Sequence, residues 1–201
     1  MSTAPVAPVL DPGLAGTLMT PEEFDAIEEC TEGYVYELIH GVLVVTPPPL
    51  ESERGPNDEL AFLLRLYQLQ NPKHLNDTLP EQLVRTGDNR RRADRVIWAG
   101  LRKQPDPQLD IPTIVVEFVS AGKRNRRRDY IEKRDEYLAA GVKEYWVIDR
   151  FRRQMTVYRL KAAELVIAEN EVYHTALLPG FELPLAHILA IADRWQKKKK
   201  P

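Results

Sequence analysis

The stretch that most constrains this chain spans residues 113–149 and reads TIVVEFVSAGKRNRRRDYIEKRDEYLAAGVKEYWVID. Residues 113–119 are β-branched and apolar, the pattern of a buried strand, yet Glu117 stands in their middle. A carboxylate in such a place needs a partner or a metal. Residues 129–140 set Tyr130, Ile131, Arg134, Tyr137 and Leu138 at helical spacing, Gly141 supplies a stop, and residues 144–149 read as a second strand. Strand, helix and strand in so short a span predict a βαβ unit with parallel strands and a right-handed crossover. Open parallel sheets gather ligands at the carboxyl ends of their strands, and Glu117 falls near that end. Between strand and helix comes KRNRRR, residues 123–128, with five cations in six residues. A buried acid beside such a basic loop suits a metal acting on an anionic substrate such as a phosphodiester.

The 201 residues suffice for one domain with a real core. A hydrophobic content of 43% with 29% charged residues predicts a soluble globular protein, and no apolar run approaches the roughly 18 residues of a membrane helix. The N-terminus lacks the basic and apolar blocks of a signal peptide, so a cytoplasmic location is expected. Cys30 is the only cysteine, which excludes an internal disulfide and a thiolate zinc site. His40, His74, His174 and His187 lie without ligand spacing. Any metal must therefore rest on oxygen, which favours Mg²⁺ or Mn²⁺. The net charge of −2 argues against bulk electrostatic binding to nucleic acid but leaves room for a local basic patch.

In chain order, residues 1–17 read as a flexible leader, residues 18–195 as a single domain and residues 196–201 as a basic tail. Thr20, Pro21 and Glu23 form a helix-start signature, with the helix expected to reach about Glu29. Residues 34–39 and 42–46 flank His40-Gly41 as a β-hairpin with a two-residue turn. Alternation puts Glu37 on the face of Val35 and Ile39, either as a second acid among apolar neighbours or as an edge glutamate reaching water. Asn57 or Asp58 is expected to cap a helix carrying Leu60, Leu63, Leu64 and Tyr67. Residues 81–86 are a predicted strand, residues 87–89 a turn, and Arg90-Arg91-Arg92 precedes a short strand over residues 93–98 that opens with Asp94. After the crossover, residues 154–160, 164–168 and 172–176 are expected to form an antiparallel meander, and residues 185–195 a last helix.

Asp94 and Glu117 come from consecutive predicted strands, so one ion could bind both; an ion pair with Arg95 or Arg128 is the alternative. An aspartate at the head of one strand, a glutamate in the next and then a crossover with basic residues is the layout of the PD-(D/E)XK nuclease core. The chain resembles one branch of it, the Uma2 family of restriction-type endonucleases. The matching segments are residues 19–24 (MTPEEF), 36–43 (YELIHGVL), 115–120 (VVEFVS), Asp129 with Lys133 and Tyr137, residues 141–149 (GVKEYWVID) and residues 178–181 (LPGF). The resemblance implies an α/β fold, a restriction-endonuclease-like core with a central mixed β-sheet, the βαβ crossover and flanking helices. It implies Asp94, Glu117 and the carbonyl of Phe118 as metal ligands for Mg²⁺ or Mn²⁺, with Glu37 an accessory acid. Val119 holds the place of the family's lysine, two residues after the glutamate. Lys133, on the crossover helix, is the candidate to replace it, unless it pairs with Asp129 or Glu136. Two further departures are Ala93 and Arg95 where a proline usually precedes the aspartate and a small apolar residue follows it, and residues 52–55 (SERG) where a histidine usually opens the second helix.

The expected activity is a divalent-metal-dependent endonuclease with DNA as partner and Asp94, Glu117, Lys133 and Glu37 as catalytic residues. Arg91, Arg92, Arg124, Arg126, Arg127 and Arg128 are the expected backbone-binding residues. The alternative is a catalytically silent nuclease-fold binding module, favoured by the absent strand lysine. The family resemblance and the apolar C-terminal strands also predict a homodimer.

Overall fold

A computed structural model describes residues 9–195, with the side chain of Arg124 outside the description. Lys197 to Lys200, expected as a solvated basic tail, lie outside the described residues. The leader was expected to run to residue 17, but residues 9–16 already make regular contacts. Val9–Leu10 (β1) pairs in parallel with Glu29–Cys30 (β2), and the N–H of Gly16 donates to the Leu43 carbonyl at 2.8 Å. Leu10 supplies the reason, because it is buried against Phe24, Tyr36 and Leu43. The first helix (α1, Pro21–Asp25) has the capping box read from Thr20 and Glu23 but stops before Glu29, since residues 29–30 are needed in the strand with β1.

The hairpin stands as read, Val35–Ile39 (β3) and Val42–Thr46 (β4) joined by His40 and Gly41, both with positive φ. The next helix starts earlier than expected. It spans Glu51–Gln70 (α2), and its first turn is closed by Glu53, whose Oε2 accepts from the Leu50 N–H at 3.1 Å. Pro56 lies inside it, and Asn57 and Asp58, either of which was expected as the cap, are mid-helix residues. Gly55 serves close packing. A Cβ there would stand 2.8 Å from the indole Nε1 of Trp195, beyond the last helix, α5 (Leu185–Asp193).

Strands Leu75–Thr86 (β5) and Asn89–Ala99 (β6) are far longer than the sequence suggested, with Gly87 and Asp88 as the turn. The Arg90-Arg91-Arg92 run, read as a lead-in, is thus part of β6 itself. Ile114–Phe118 (β7) pairs antiparallel with β6 and in parallel with Glu144–Asp149 (β8), giving the predicted strand–helix–strand unit. Residues 123–128, expected as a basic loop, are helical: Lys123–Arg127 (α3) leads through a π-helical turn, Arg128–Glu132, into Lys133–Ala140 (α4). Gly141 ends the helix in the left-handed region, φ 105°. Gln154–Tyr158 (β9) and Leu165–Ala168 (β10) complete the eight-stranded mixed sheet. The third expected meander strand leaves it: Val172–Tyr173 (β11) pairs instead with Leu183–Pro184 (β12).

The sheet is sandwiched. Leu60, Leu64, Ile188 and Leu189 of α2 and α5 bury one face with Ile97, Val116, Phe118 and Trp146, while Tyr137 of α4 covers Val96, Trp98, Val115 and Val147 on the other. Among the described residues no helix is long and apolar enough to cross a membrane. What positions the site is a fork along one edge of β6, where β3 pairs at Arg90 and β7 pairs at Arg95 to Ile97. Asp94 lies at the crotch of that fork.

Candidate active site

Extending the β6–β7 register by one residue beyond the Arg95–Val116 pair sets Asp94 opposite Glu117, and alternation turns both toward the α4 face. Asp94 makes neither of the expected ion pairs; its Oδ2 accepts from the Phe118 N–H at 2.6 Å. Arg95, on the opposite face, donates to Asn57 Oδ1 at 2.6 Å, and the Asn57 amide donates to the Asp94 carbonyl at 2.8 Å. Helix α2 therefore clamps the backbone at Asp94 from behind. Glu117 is 2% exposed, and Lys133 donates to its Oε1 at 2.8 Å. Of the two alternatives for Lys133, the structure has neither Asp129 nor Glu136. The second acceptor of its ammonium is the Arg92 carbonyl at 2.9 Å, and Tyr137 adds a hydroxyl donor to Glu117 at 3.2 Å. The π-helical turn ends at Glu132, directly before Lys133, the residue it delivers to the sheet. Extra turns of this kind often lie at functional positions.

Glu37 is buried, not the edge residue reaching water; its Oε1 accepts from the Arg92 N–H at 2.9 Å across the fork. All four sequence-predicted acids and bases, Glu37, Asp94, Glu117 and Lys133, line one cleft of about 360 Å³, joined by Arg92, Arg128 and Asn125. Two more acids line it that the sequence did not single out. Glu81 lies opposite Asp94 on β5 at a position the ladder skips, between the Pro80–Arg95 and Gln82–Ala93 pairs, with φ 49°. The proline before it was the available signal, because proline in a strand marks an interrupted ladder. Glu53 is 6% exposed and its Oε1 has no hydrogen-bond partner among the described residues, although Oε2 caps α2. Its spacing to Leu50 announced a cap only.

The cleft is short of positive charge. Burial, with repulsion from Asp94 and Asp129, pushes the Glu117 carboxyl up to about 8 against the pull of Lys133. Burial raises Asp94 to about 7, and burial with the Glu117 charge raises Glu81 to about 7. For Lys133 burial works the other way, but Glu117 and Glu37 outweigh it and keep the ammonium charged. An all-oxygen donor set of two carboxylates and a peptide carbonyl suits a hard cation that keeps several waters, and uncompensated carboxylates invite one. Among the described residues no three His, Cys, Asp or Glu side chains converge as a metal cage, so such an ion would lean on the Phe118 carbonyl and water.

The arginines divide. Arg92 and Arg128 line the cleft, and Arg126 and Arg127 line a separate groove along α3. The Arg124 side chain lies outside the described residues. Arg91 is a correction: it is 1% exposed and held in a two-point pair by Glu136, at 2.7 and 2.5 Å, so its guanidinium faces the interior rather than a nucleic-acid backbone. Strand alternation between Arg90 and Arg92 is the cause. Glu136→Ala is expected to destabilise the fold by about 3 kcal/mol, the usual cost of stranding a buried charge. Equilibrium denaturation would check it.

No protein of curated function matches the chain. Among solved structures, a crystal structure of a "putative nuclease belonging to DUF820" from Anabaena variabilis superposes with a TM-score of 0.70 at 17% identity, over 87% of this chain and 99% of that one. That likeness bears on the fold, and it fits the mixed sheet and flanking helices described above. The family model described as "Putative restriction endonuclease" matches residues 21–186, a span holding Glu37, Asp94, Glu117 and Lys133 alike, and the chain belongs to that family, Uma2.

Proposed function

We propose that this protein is a divalent-metal-dependent endonuclease that hydrolyses DNA phosphodiester bonds. The observation that carries the reading is the Lys133–Glu117 contact beside Asp94: the lysine absent at Val119 is supplied from the crossover helix to the same carboxylate. Asp94, Glu117 and the Phe118 carbonyl would hold Mg²⁺ or Mn²⁺. The ion, when bound, would supply Lewis-acid activation and charge neutralisation at the scissile phosphate. The Phe118 N–H fixes Asp94, and the Tyr137 hydroxyl and Lys133 fix Glu117. Lys133 would hold its positive charge where the phosphorane-like transition state gathers negative charge. Arg128 would contribute likewise; burial opposes its charge, but Asp129, Glu117 and Glu37 more than compensate. Arg92, Arg126 and Arg127 would hold the sugar-phosphate backbone, contacts that position without reading sequence.

The test is nicking of supercoiled plasmid in Mg²⁺ or Mn²⁺, with Glu117→Ala prepared in parallel. Cleavage by the wild type and its loss in the variant is the expected result. Absence of cleavage together with absent metal uptake by calorimetry would overturn it in favour of the silent binding module. A homodimer is part of the same reading. It is supported by the sheet edge at β10, where Leu165 and Val166 are 41% and 47% exposed. Sedimentation should find twice the 23.1 kDa chain mass, and a monomer alone would sink that part.

A further inference from the structure

Beside the cleft, at the carboxyl end of β8, residues 150–153 form a turn that reads Arg-Phe-Arg-Arg. Phe151 is 44% exposed at its tip. The turn is not loose. Asp149, fully buried, accepts from the N–H groups of Phe151 and Arg152 at 2.8 and 3.1 Å, and its other oxygen accepts from the Tyr130 hydroxyl at 3.1 Å. A buried carboxylate therefore fixes an aromatic ring in the open. Around that ring stand guanidinium groups: Arg150 at 4.4 Å and Arg126 at 5.9 Å from its centroid, with Arg152 5.0 Å from the Tyr130 ring. These cations are poorly matched by anions. Arg150 meets no carboxylate among the described residues, the buried Nε groups of Arg150 and Arg126 find no hydrogen-bond partner among them, and Arg126 and Arg152 share the single Asp149 at 3.9 and 3.8 Å. A groove of about 310 Å³ lies between Arg152 of the turn and the Lys123, Arg126 and Arg127 side of α3. Helix α3 links it to the cleft, where its Asn125 forms part of the wall.

Guanidinium groups with so few carboxylates around them ask for phosphate oxygens, and a half-exposed ring among them asks for a flat apolar partner. A duplex satisfies only the first requirement, because its bases are stacked on each other inside the helix. An unpaired nucleotide satisfies both. We propose that the β8–β9 turn is a binding platform for single-stranded nucleic acid at the mouth of the cleft. Phe151 stacks an unpaired base, and Arg126, Arg150 and Arg152 hold the flanking phosphates. This rests on the nuclease reading for the destination of the strand and narrows its substrate class to DNA with an unpaired segment.

Fluorescence anisotropy of the full chain in EDTA, with labelled oligothymidylate and a blunt duplex of equal length, tests it. Phe151→Ala is expected to weaken oligothymidylate binding by roughly tenfold, in the range typical for loss of one stacked base, while duplex affinity changes less than about twofold. Phe151→Trp should retain the affinity, and Arg150→Gln should reduce the salt dependence by about one phosphate contact. Phe151 is largely at the surface, so unchanged melting of the variant should accompany these effects. A wild type that nicks plasmid while Phe151→Ala binds oligothymidylate equally well overturns the platform and leaves the nuclease standing. Phe151-dependent binding without nicking does the reverse. A wild type that binds neither oligonucleotide overturns the platform outright.

Discussion

Asp94→Asn is expected to abolish metal uptake and plasmid nicking and at the same time to make the metal-free protein more stable at pH 8. The reasoning starts from three carboxyls, Asp94, Glu81 and Glu117, pushed up to about 7, 7 and 8 by burial and by one another. In the unfolded chain such groups release their protons near pH 4. The folded state therefore binds more protons than the unfolded state between about pH 4 and 8. Stability that is fully present below the unfolded values is lost as pH rises through the folded ones, at about 1.4 kcal/mol per pH unit per group. An asparagine oxygen can still accept from the Phe118 N–H, which holds Asp94 Oδ2 at 2.6 Å, so the local bond survives while the charge goes. The gain should be roughly 2–4 kcal/mol at pH 8 and near zero at pH 4. Added Mn²⁺ should raise the melting temperature of the wild type at pH 8 and leave the variant unmoved, because bound metal needs deprotonated ligands. Thermal melts at the two pH values, with EDTA and with Mn²⁺, measure all of this. A variant that melts below the wild type at pH 8 in EDTA would show that repulsion does not govern the cleft.

The legible parts of the molecule were those written in periodicity. The β-branched run around Glu117, the helical spacing from Tyr130 to Leu138 and the stop at Gly141 define the strand–helix–strand unit because tertiary packing reinforces local preference there. The hairpin around His40-Gly41 follows from its turn chemistry in the same way. Long strands defeated the reading where polar side chains interrupt them. Three consecutive arginines look solvated, but in β6 they alternate: Arg90 is held by Asp25 and Arg91 by Glu136, partners 65 and 45 residues away in sequence. No local pattern reports a partner so distant. Glu81 was hidden for a related reason, since its place in the cleft depends on a skipped ladder position opposite Asp94. The cap expected at Asn57 or Asp58 lies well inside α2, and the late start hid the buried position of Glu53. The pairing of Lys133 with Glu117 was open in the sequence, where Asp129 and Glu136 were equally near in spacing. The π-helical turn that ends directly before Lys133 leaves no such signature in the sequence.

That pairing yields the second large effect. Lys133→Met removes a cation that is 3% exposed and leaves Glu117 with only the Tyr137 hydroxyl. Nicking should fall by about 10²- to 10⁴-fold, the range for losing one group that handles a proton or charge at the reacting centre. Glu117→Ala should be at least as damaging, and the double variant no worse than the poorer single one, because the two side chains act as a unit. The decisive variant returns the lysine to the strand. Val119 is 1% exposed and by alternation lies on the side of Glu117 and Val115 that Tyr137 of α4 covers, so a lysine there points at the space the methionine would only partly fill. Val119→Lys combined with Lys133→Met should recover at least about tenfold of the lost activity, whereas Val119→Lys alone should lower activity by crowding two ammonium groups around one carboxylate. Rates of the four proteins in the plasmid assay separate the possibilities. If Lys133→Met keeps wild-type activity, Lys133 serves only to neutralise Glu117 in the fold. In that case the variant should differ from the wild type in melting temperature alone.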